Sequence, residues 1–245
     1  MAGLTIVKRN GEQASFNPMK ILTRIKRAAK GLKVNTDEIC LKVLTTVPFE
    51  GDLETKALDR QIANIAASYT ASHYDYSRLA AMLSVSSYHK ETMSSFTSTM
   101  KTLHEQGVVH KELIDKIEEY GAKKIDDIID HEKDYNFDFF GWRTLQEMYL
   151  LKDENGNSIE RPQHMYMRVA LWVTSSLKEA KEYYESLSDQ RISPATPIMI
   201  NAGTKVPQLA SCVLEFNTDD SGDGLLNTFS DVARYSSSGA GIGLC

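Results

Sequence analysis

The pair Asn10-Gly11 lies between two short runs, Leu4–Val7 and Glu12–Phe16, and no feature of the chain restricts its folding more tightly. Asn-Gly flanked by such runs is the strongest two-residue signal for a β-hairpin, because the tight turn needs residues that tolerate positive φ. Asn17-Pro18 follows at once, an N-cap and then a proline at the first helical position, where its missing N–H costs nothing. Ile21, Leu22, Ile25, Ala28 and Ala29 then recur at helical spacing, and Gly31 suits the stop. A hairpin therefore feeds an amphipathic helix that carries Lys20 in its first turn, with Lys8 and Arg9 on the strand before it. Free backbone N–H groups and a lysine at a helix start form a site for phosphate.

The charge distribution points to the same place. Eight basic residues up to Lys33 face one acid, Glu12, so this stretch carries +7 while the chain totals −5. A basic lobe on an acidic protein suggests a local anion site rather than a nucleic-acid surface, and a solvated helix face is the plain alternative. The six histidines show no metal-ligand spacing, and there is no CxxC or HExxH, so no metal is expected in this chain. Three distant cysteines do not form a secreted disulfide framework. No apolar run reaches about 18 residues and no signal peptide is legible, so a cytoplasmic chain without a membrane segment is expected.

Three more helices follow: one from about Asn35–Asp37 with Ile39, Val43 and Leu44; one capped by Thr55 with Leu58, Ile62, Ile65 and Tyr69; and one from about Tyr76 to Met93. Pro48–Asp52 reads as a loop between the first two of these. With these residues in view, VKRNGEQASFNPMKI resembles the opening of an ATP-cone, and YDYSRLAAMLSVSSYHK its last helix. The resemblance implies that Val7, Lys8, Arg9, Asn17, Lys20, Ile21, Thr55 and Lys90 contact ATP or dATP. Ala14 stands where glutamate is common in bacterial cones and Asp59 where histidine is common, which bears on any inhibition response.

Glu91–Lys101, rich in Ser and Thr, reads as a junction, and short helical patterns run from there to about Asp134. The acids Asp126, Asp127, Asp130, Glu132 and Asp134 read as a solvated face rather than a catalytic or metal cluster. The aromatic run Tyr135–Trp142 reads as core packing or a domain seam. Asn155-Gly156 suggests a second hairpin, and Pro162 opens a helix with Met165, Val169, Val173 and Leu177 on one face.

DYNFDF, YLLKD and IERPQHMYMRVA, in this order and spacing, resemble the entry to the catalytic domain of the aerobic class I ribonucleotide reductase large subunit. SPATPIMINAG, LASCVLEF, DDSGDGL and SSSGAGIG fall where that family has its first active-site and effector elements. The fold so implied is mainly α with small β elements: an ATP-cone over 1–93, a helical domain over 94–190, and over 191–245 the start of a ten-stranded α/β barrel. The resemblance implies that Ala195, Thr196, Ser211 and Gly241 contact a diphosphate substrate. It makes Cys212, at the head of a buried-looking strand, one of the two cysteines that deliver electrons as a disulfide forms, and gives Asp220 and Ser221 to the loop that binds a dNTP effector.

The family's thiyl-radical cysteine, second redox cysteine and reducing tail have no counterpart in these residues. Cys40 reads as an inert helix residue, and Cys245 fits no second-thiol position; it can be a natural end, a split-gene or intein junction, or an artificial boundary. The expectation is the N-terminal part of a ribonucleoside-diphosphate reductase large subunit, inactive without a complementing C-terminal part. Its further partners would be a metal-radical small (beta) subunit, thioredoxin or glutaredoxin as reductant, and a second large (alpha) subunit. The alternative is a non-catalytic module that only senses ATP and dATP; cone-bearing regulators usually also carry a zinc ribbon, and no cysteine quartet exists here.

Overall fold

A computed structural model describes residues 4–48, 50–217 and 219–245. The described residues pack as two compact units, one made of the chain up to Ser94 together with His131–Glu147, the other of Ser95–Asp130 together with Met148–Cys245.

The first unit opens with β1 (Leu4–Val7) and β2 (Gln13–Ser15), antiparallel, with Ile6 opposite Ala14. The turn places Gly11 alone at positive φ (82°), and the Gly11 N–H bonds back to Lys8 O at 2.9 Å. Asn10 thus stays in ordinary space, and only glycine meets the left-handed requirement. Helix α1 (Pro18–Ala28) starts as expected, with Asn17 Oδ1 accepting from Met19 N at 2.9 Å. Helix α2 (Thr36–Thr46) is capped by Asn35. Where a loop is predicted after Pro48, the chain forms β3 (Gly51–Glu54), parallel to β1 with Ile6 beside Leu53; Phe49 lies outside the described residues. Four residues without a β-branched side chain carry no strand signal, and the pairing depends on a distant partner. Helix α3 (Thr55–Ser68) starts one residue earlier than a Thr55 cap implies. Thr55 Oγ1 instead donates to Val7 O at 3.1 Å, which pins the helix start to the end of β1.

Helix α4 (Asp75–His89) lies at the centre of this unit, with Leu79, Ala80, Ala81 and Val85 fully buried. Ile25, Ile39, Val43 and Ile62 close around it in one apolar core. Each such side chain contributes about 1.5–3 kcal/mol by leaving water. The segment from His131 returns to this unit as a 3-10 helix (His131–Asn136), and Trp142, only 1% exposed, packs edge-on against Tyr88 at 5.2 Å. Within the aromatic run only Trp142 is buried in the core, while Phe140 is 78% exposed.

In the second unit, α5 (Phe96–Glu105), α6 (Lys111–Tyr120) and α7 (Ala122–Asp126) form a helical cluster. Helix α8 (Phe139–Thr144) belongs to the first unit. The acidic run is not simply a solvated face. Asp126 accepts from Ser95 Oγ at 2.8 Å and Thr97 N at 3.0 Å, while Asp134, fully buried in the first unit, meets His89 Nε2 at 2.8 Å. The hairpin predicted at Asn155-Gly156 reduces to a single bridge, Lys152 to Ser158. Helix α9 (Pro162–Val173) ends before Leu177, because Ser176 caps a new helix, α10 (Leu177–Ser188).

After α11 (Thr196–Asn201), β4 (Cys212–Glu215) and β5 (Gly241–Leu244) pair in parallel across α12 (Gly222–Ser237). This is one β–α–β unit, and the start of a ten-stranded barrel is not visible in it. Two strands cannot define closure, which depends on strand number and stagger.

Candidate functional site

A cavity of about 800 Å³ opens between α1 and α4, with the 3-10 helix contributing Glu132 and Tyr135. Lys20, Arg24 and Arg27 line it from α1, and Lys90 from the end of α4. Their spacing along α1, four and then three residues, puts three cations on one helix face. Among the described residues, Lys20, Arg27 and Lys90 form no salt bridge, and the Nη2 of Arg24 is buried without a hydrogen-bond partner. Burial pushes the Arg24 guanidinium down to about 10, and the charge of Arg9 adds to the effect. Burial also lowers Lys90, helped by Arg24, Arg9 and Arg27. Cations that depress one another across a cavity are poised for a multivalent anion.

Beside the cavity, Asp59 is 2% exposed and bridges two arginines. Its Oδ2 accepts from Arg9 at 2.8 Å, and its Oδ1 pairs with Arg24. Arg9 also donates to Ser87 Oγ at 2.7 Å and to Glu91 Oε1 at 3.2 Å. Thus Asp59, noted in the sequence only as a departure from the bacterial pattern, anchors the arginines of the basic lobe.

The sequence-predicted nucleotide contacts divide into several groups. Lys20 and Lys90 line the cavity, and Arg9 joins the network beside it. Thr55 ties to Val7, and Asn17 caps α1. Lys8 pairs with Glu12 across the turn at 2.8 Å, and Ile21 is packed in the core at 5% exposure. One mechanism differs from the expectation. Pro18 has no N–H, Met19 N is taken by Asn17 Oδ1 and Lys20 N by Asn17 O at 3.1 Å. The attraction for anions at this end of the helix therefore comes from side chains more than from free backbone N–H groups. Arg24, Arg27, Glu132 and Tyr135 were missed as site residues. The one-face spacing of Lys20, Arg24 and Arg27 could have revealed the first two, whereas nothing local marks a return of the chain at 131–135.

In the second unit, Ser211, Cys212 and Gly241 come together: Cys212 is paired with Gly241, whose N–H bonds to Ser211 O at 2.9 Å. Among the described residues Cys212 is an exposed free thiol, not the buried strand residue its sequence suggests, because β4 pairs there with β5 alone. Ala195 and Thr196 start α11, and Thr196 Oγ1 is 3.0 Å from the hydroxyl of Tyr149. Arg168 holds the other end of α11 through the carbonyls of Met199 (3.1 Å), Ile200 (3.3 Å) and Ala202, and is itself clamped by Glu160 at 2.6 Å. Ser221 caps α12, accepting from Gly224 N at 3.0 Å. A side chain at position 224 would place its Cβ 2.2 Å from Asp219 O, so this turn requires glycine. Asp220 lies in the turn just before this cap. Cys40 is buried, and its thiol is raised by burial and then by Asp37. Among the described residues no group of His, Cys, Asp and Glu is placed to hold a metal ion, and no helix is long and apolar enough to cross a membrane.

Two family models match this chain. Residues 4–91 match the ATP cone domain, and residues 135–207 match the ribonucleotide reductase all-alpha domain. The chain is similar to the ribonucleoside-diphosphate reductase large subunits of Dictyostelium discoideum (37% identical over 255 residues) and Arabidopsis thaliana (34% over 249). That of Danio rerio is 36% identical over 252 residues. Each alignment takes in 98% of this chain but only 29%, 30% and 31% of the respective relative, so the chain spans about three-tenths of their length. By both domains, and by similarity over nearly its whole length, the chain belongs to the ribonucleotide reductase large-subunit family and corresponds to its N-terminal region, with an ATP cone as its nucleotide-sensing module.

Proposed function

We propose that the cone binds ATP and dATP in the cavity between α1 and α4, and that this occupancy controls the reduction of ribonucleoside diphosphates to deoxyribonucleotides. The observation that carries the reading is the cation group itself: Lys20, Arg24, Arg27 and Lys90 around one cavity, with a buried guanidinium nitrogen of Arg24 left without a partner. A triphosphate would supply the missing acceptors, and charge-assisted bonds of this kind are the strong ones. Arg9, held at the hairpin, and Thr55, at the start of α3, would complete the grip, with Val7, Lys8, Asn17 and Ile21 shaping the surround.

Within the same proposal, Cys212 is one member of the electron-delivering pair. Ala195, Thr196, Ser211 and Gly241 receive the diphosphate substrate, and Asp220 and Ser221 receive a dNTP effector. The pairing of Cys212 with Gly241 supports this, since a glycine beside a thiol leaves room for a ligand against the backbone. The radical cysteine and second redox thiol would come from a C-terminal part of the large subunit, and the radical from a metal-radical small subunit. Thioredoxin or glutaredoxin would return the electrons, a second large subunit would complete a homodimer, and the assembly would work in the cytoplasm.

The test is a calorimetric titration of the purified chain with ATP and dATP, alone and after addition of a C-terminal part. Saturable binding of both, with deoxynucleotide formed only after complementation, is the expected result. Failure to bind either nucleotide removes the sensing role. A second reading, a sensor without catalysis, is favoured by the self-contained core and cavity of the first unit; it predicts binding that no complementing chain converts into turnover.

A further inference from the structure

The lining of the cavity between α1 and α4 is chemically of two kinds. Cations come from α1 and from Lys90, whereas the 3-10 helix His131–Asn136 brings Glu132 and Tyr135. Among the described residues of the lining, these two are the one carboxylate and the one aromatic ring. Positions three apart eclipse in a 3-10 helix, so both side chains share a face. That face is fixed in place from the end of α4 onward. Asp134, fully buried, meets His89 Nε2 at 2.8 Å, and His131 Nε2 lies 2.8 Å from Ser94 O. The Tyr135 ring packs against His89 at 5.5 Å and 72°. The ring is thus held at the cavity wall before any ligand arrives, and stacking on it needs little further ordering. A phosphate group is repelled by Glu132. A nucleobase suits both residues: its flat face stacks on the ring, and an amino group at its edge donates to the carboxylate.

We propose that Tyr135 is the stacking platform for the base of the bound nucleotide and that Glu132 accepts from the amino group of that base, while Lys20, Arg24, Arg27 and Lys90 hold the phosphates. This rests on the reading of the cavity as a nucleotide site and adds the nucleoside half of the ligand to it. Recognition of the base then depends on a segment beyond residue 91, where the match to the ATP cone domain ends.

The experiment titrates the wild-type chain, Tyr135→Leu, Tyr135→Phe, Glu132→Gln and Lys20→Ala calorimetrically with ATP and separately with inorganic tripolyphosphate. Tyr135→Leu keeps bulk against His89 but removes the π-face, so it should weaken ATP by about fivefold or more and leave tripolyphosphate within about twofold. Tyr135→Phe keeps the π-face and should bind both probes like the wild type. Glu132→Gln removes a like charge, so it should strengthen tripolyphosphate by about threefold and ATP by less, because ATP also loses an ionic acceptor. Unchanged ATP binding by Tyr135→Leu, an equal loss of both probes, or a loss of either in Tyr135→Phe overturns the platform. An equal gain for both probes in Glu132→Gln overturns the role of the carboxylate. If Lys20→Ala weakens ATP and Tyr135→Leu does not, the platform fails alone. If neither variant weakens it, or the wild type binds no ATP, the nucleotide reading of the cavity fails as well.

Discussion

Two buried carboxylates, Asp59 in the first unit and Glu160 in the second, are both held by arginine, yet their surroundings give them opposite meanings. Glu160 and Arg168 are both fully buried, and every contact answers another. Glu160 also accepts from Leu151 N at 2.9 Å, and Arg168 spends its remaining donors on carbonyls at the end of α11. The charges balance, and the pair acts as a rivet. Asp59 meets two arginines, each about one-quarter exposed, with three further cations lining the adjacent cavity. That surplus positive charge faces open space. A buried ion pair marks a ligand site only when its charges fail to cancel against a cavity; when they cancel, it marks scaffold.

The sharpest way to break this distinction is to neutralise each partner. Glu160→Gln should destabilise the chain by about 3–5 kcal/mol in denaturant unfolding, since it strands a buried guanidinium, and the double variant Glu160→Leu, Arg168→Met should recover only part of that loss, because it leaves Leu151 N–H and the carbonyls at the end of α11 without their side-chain partners. If the single variant costs nothing, Glu160 is not the rivet described. Next in size, Lys20→Ala and Lys90→Ala should each weaken ATP binding by about tenfold or more in calorimetry, with little change in unfolding, because each removes a charge-assisted contact and no core packing. Loss of stability without loss of binding would move these lysines to the scaffold class.

The smallest effect is a proton count. Lys90 is lowered in the empty site by burial and by neighbouring cations. A bound phosphate raises it again, so binding should take up protons in the alkaline range just below the ordinary lysine value, and affinity should fall as pH rises through the lowered Lys90 value. Binding heats measured in two buffers of different ionisation enthalpy read the uptake directly. No buffer dependence there would remove Lys90 from contact with the phosphates.

The local features were legible and the convergent ones were not. Asn10-Gly11, Asn17-Pro18 and the Ile21/Ile25 stripe announce hairpin, cap and helix, because each is decided within a few residues. The strand β3 was invisible, since its stability comes from β1 some 47 residues earlier. The meeting of Arg9 with Asp59 spans 50 residues and that with Glu91 spans 82, so no window of sequence contains either. Cys212 shows the reverse failure. Val213 and Leu214 make its strand look interior, but burial belongs to the packing of neighbouring strands, and among the described residues β4 pairs with β5 alone.

The cone as an inherited segment and the cone as a physical object have different edges. Matching residues stop at 91, while the packed unit also takes in His131–Glu147 and sets Trp142 against Tyr88. A recombination event that carried only the matched segment into another gene would deliver α4 with this side stripped. Its new host would have to supply an aromatic cover of its own. Such a lid is therefore what a search for transplanted cones should look for downstream of the helix, beyond the reach of any pattern that ends at its last residue.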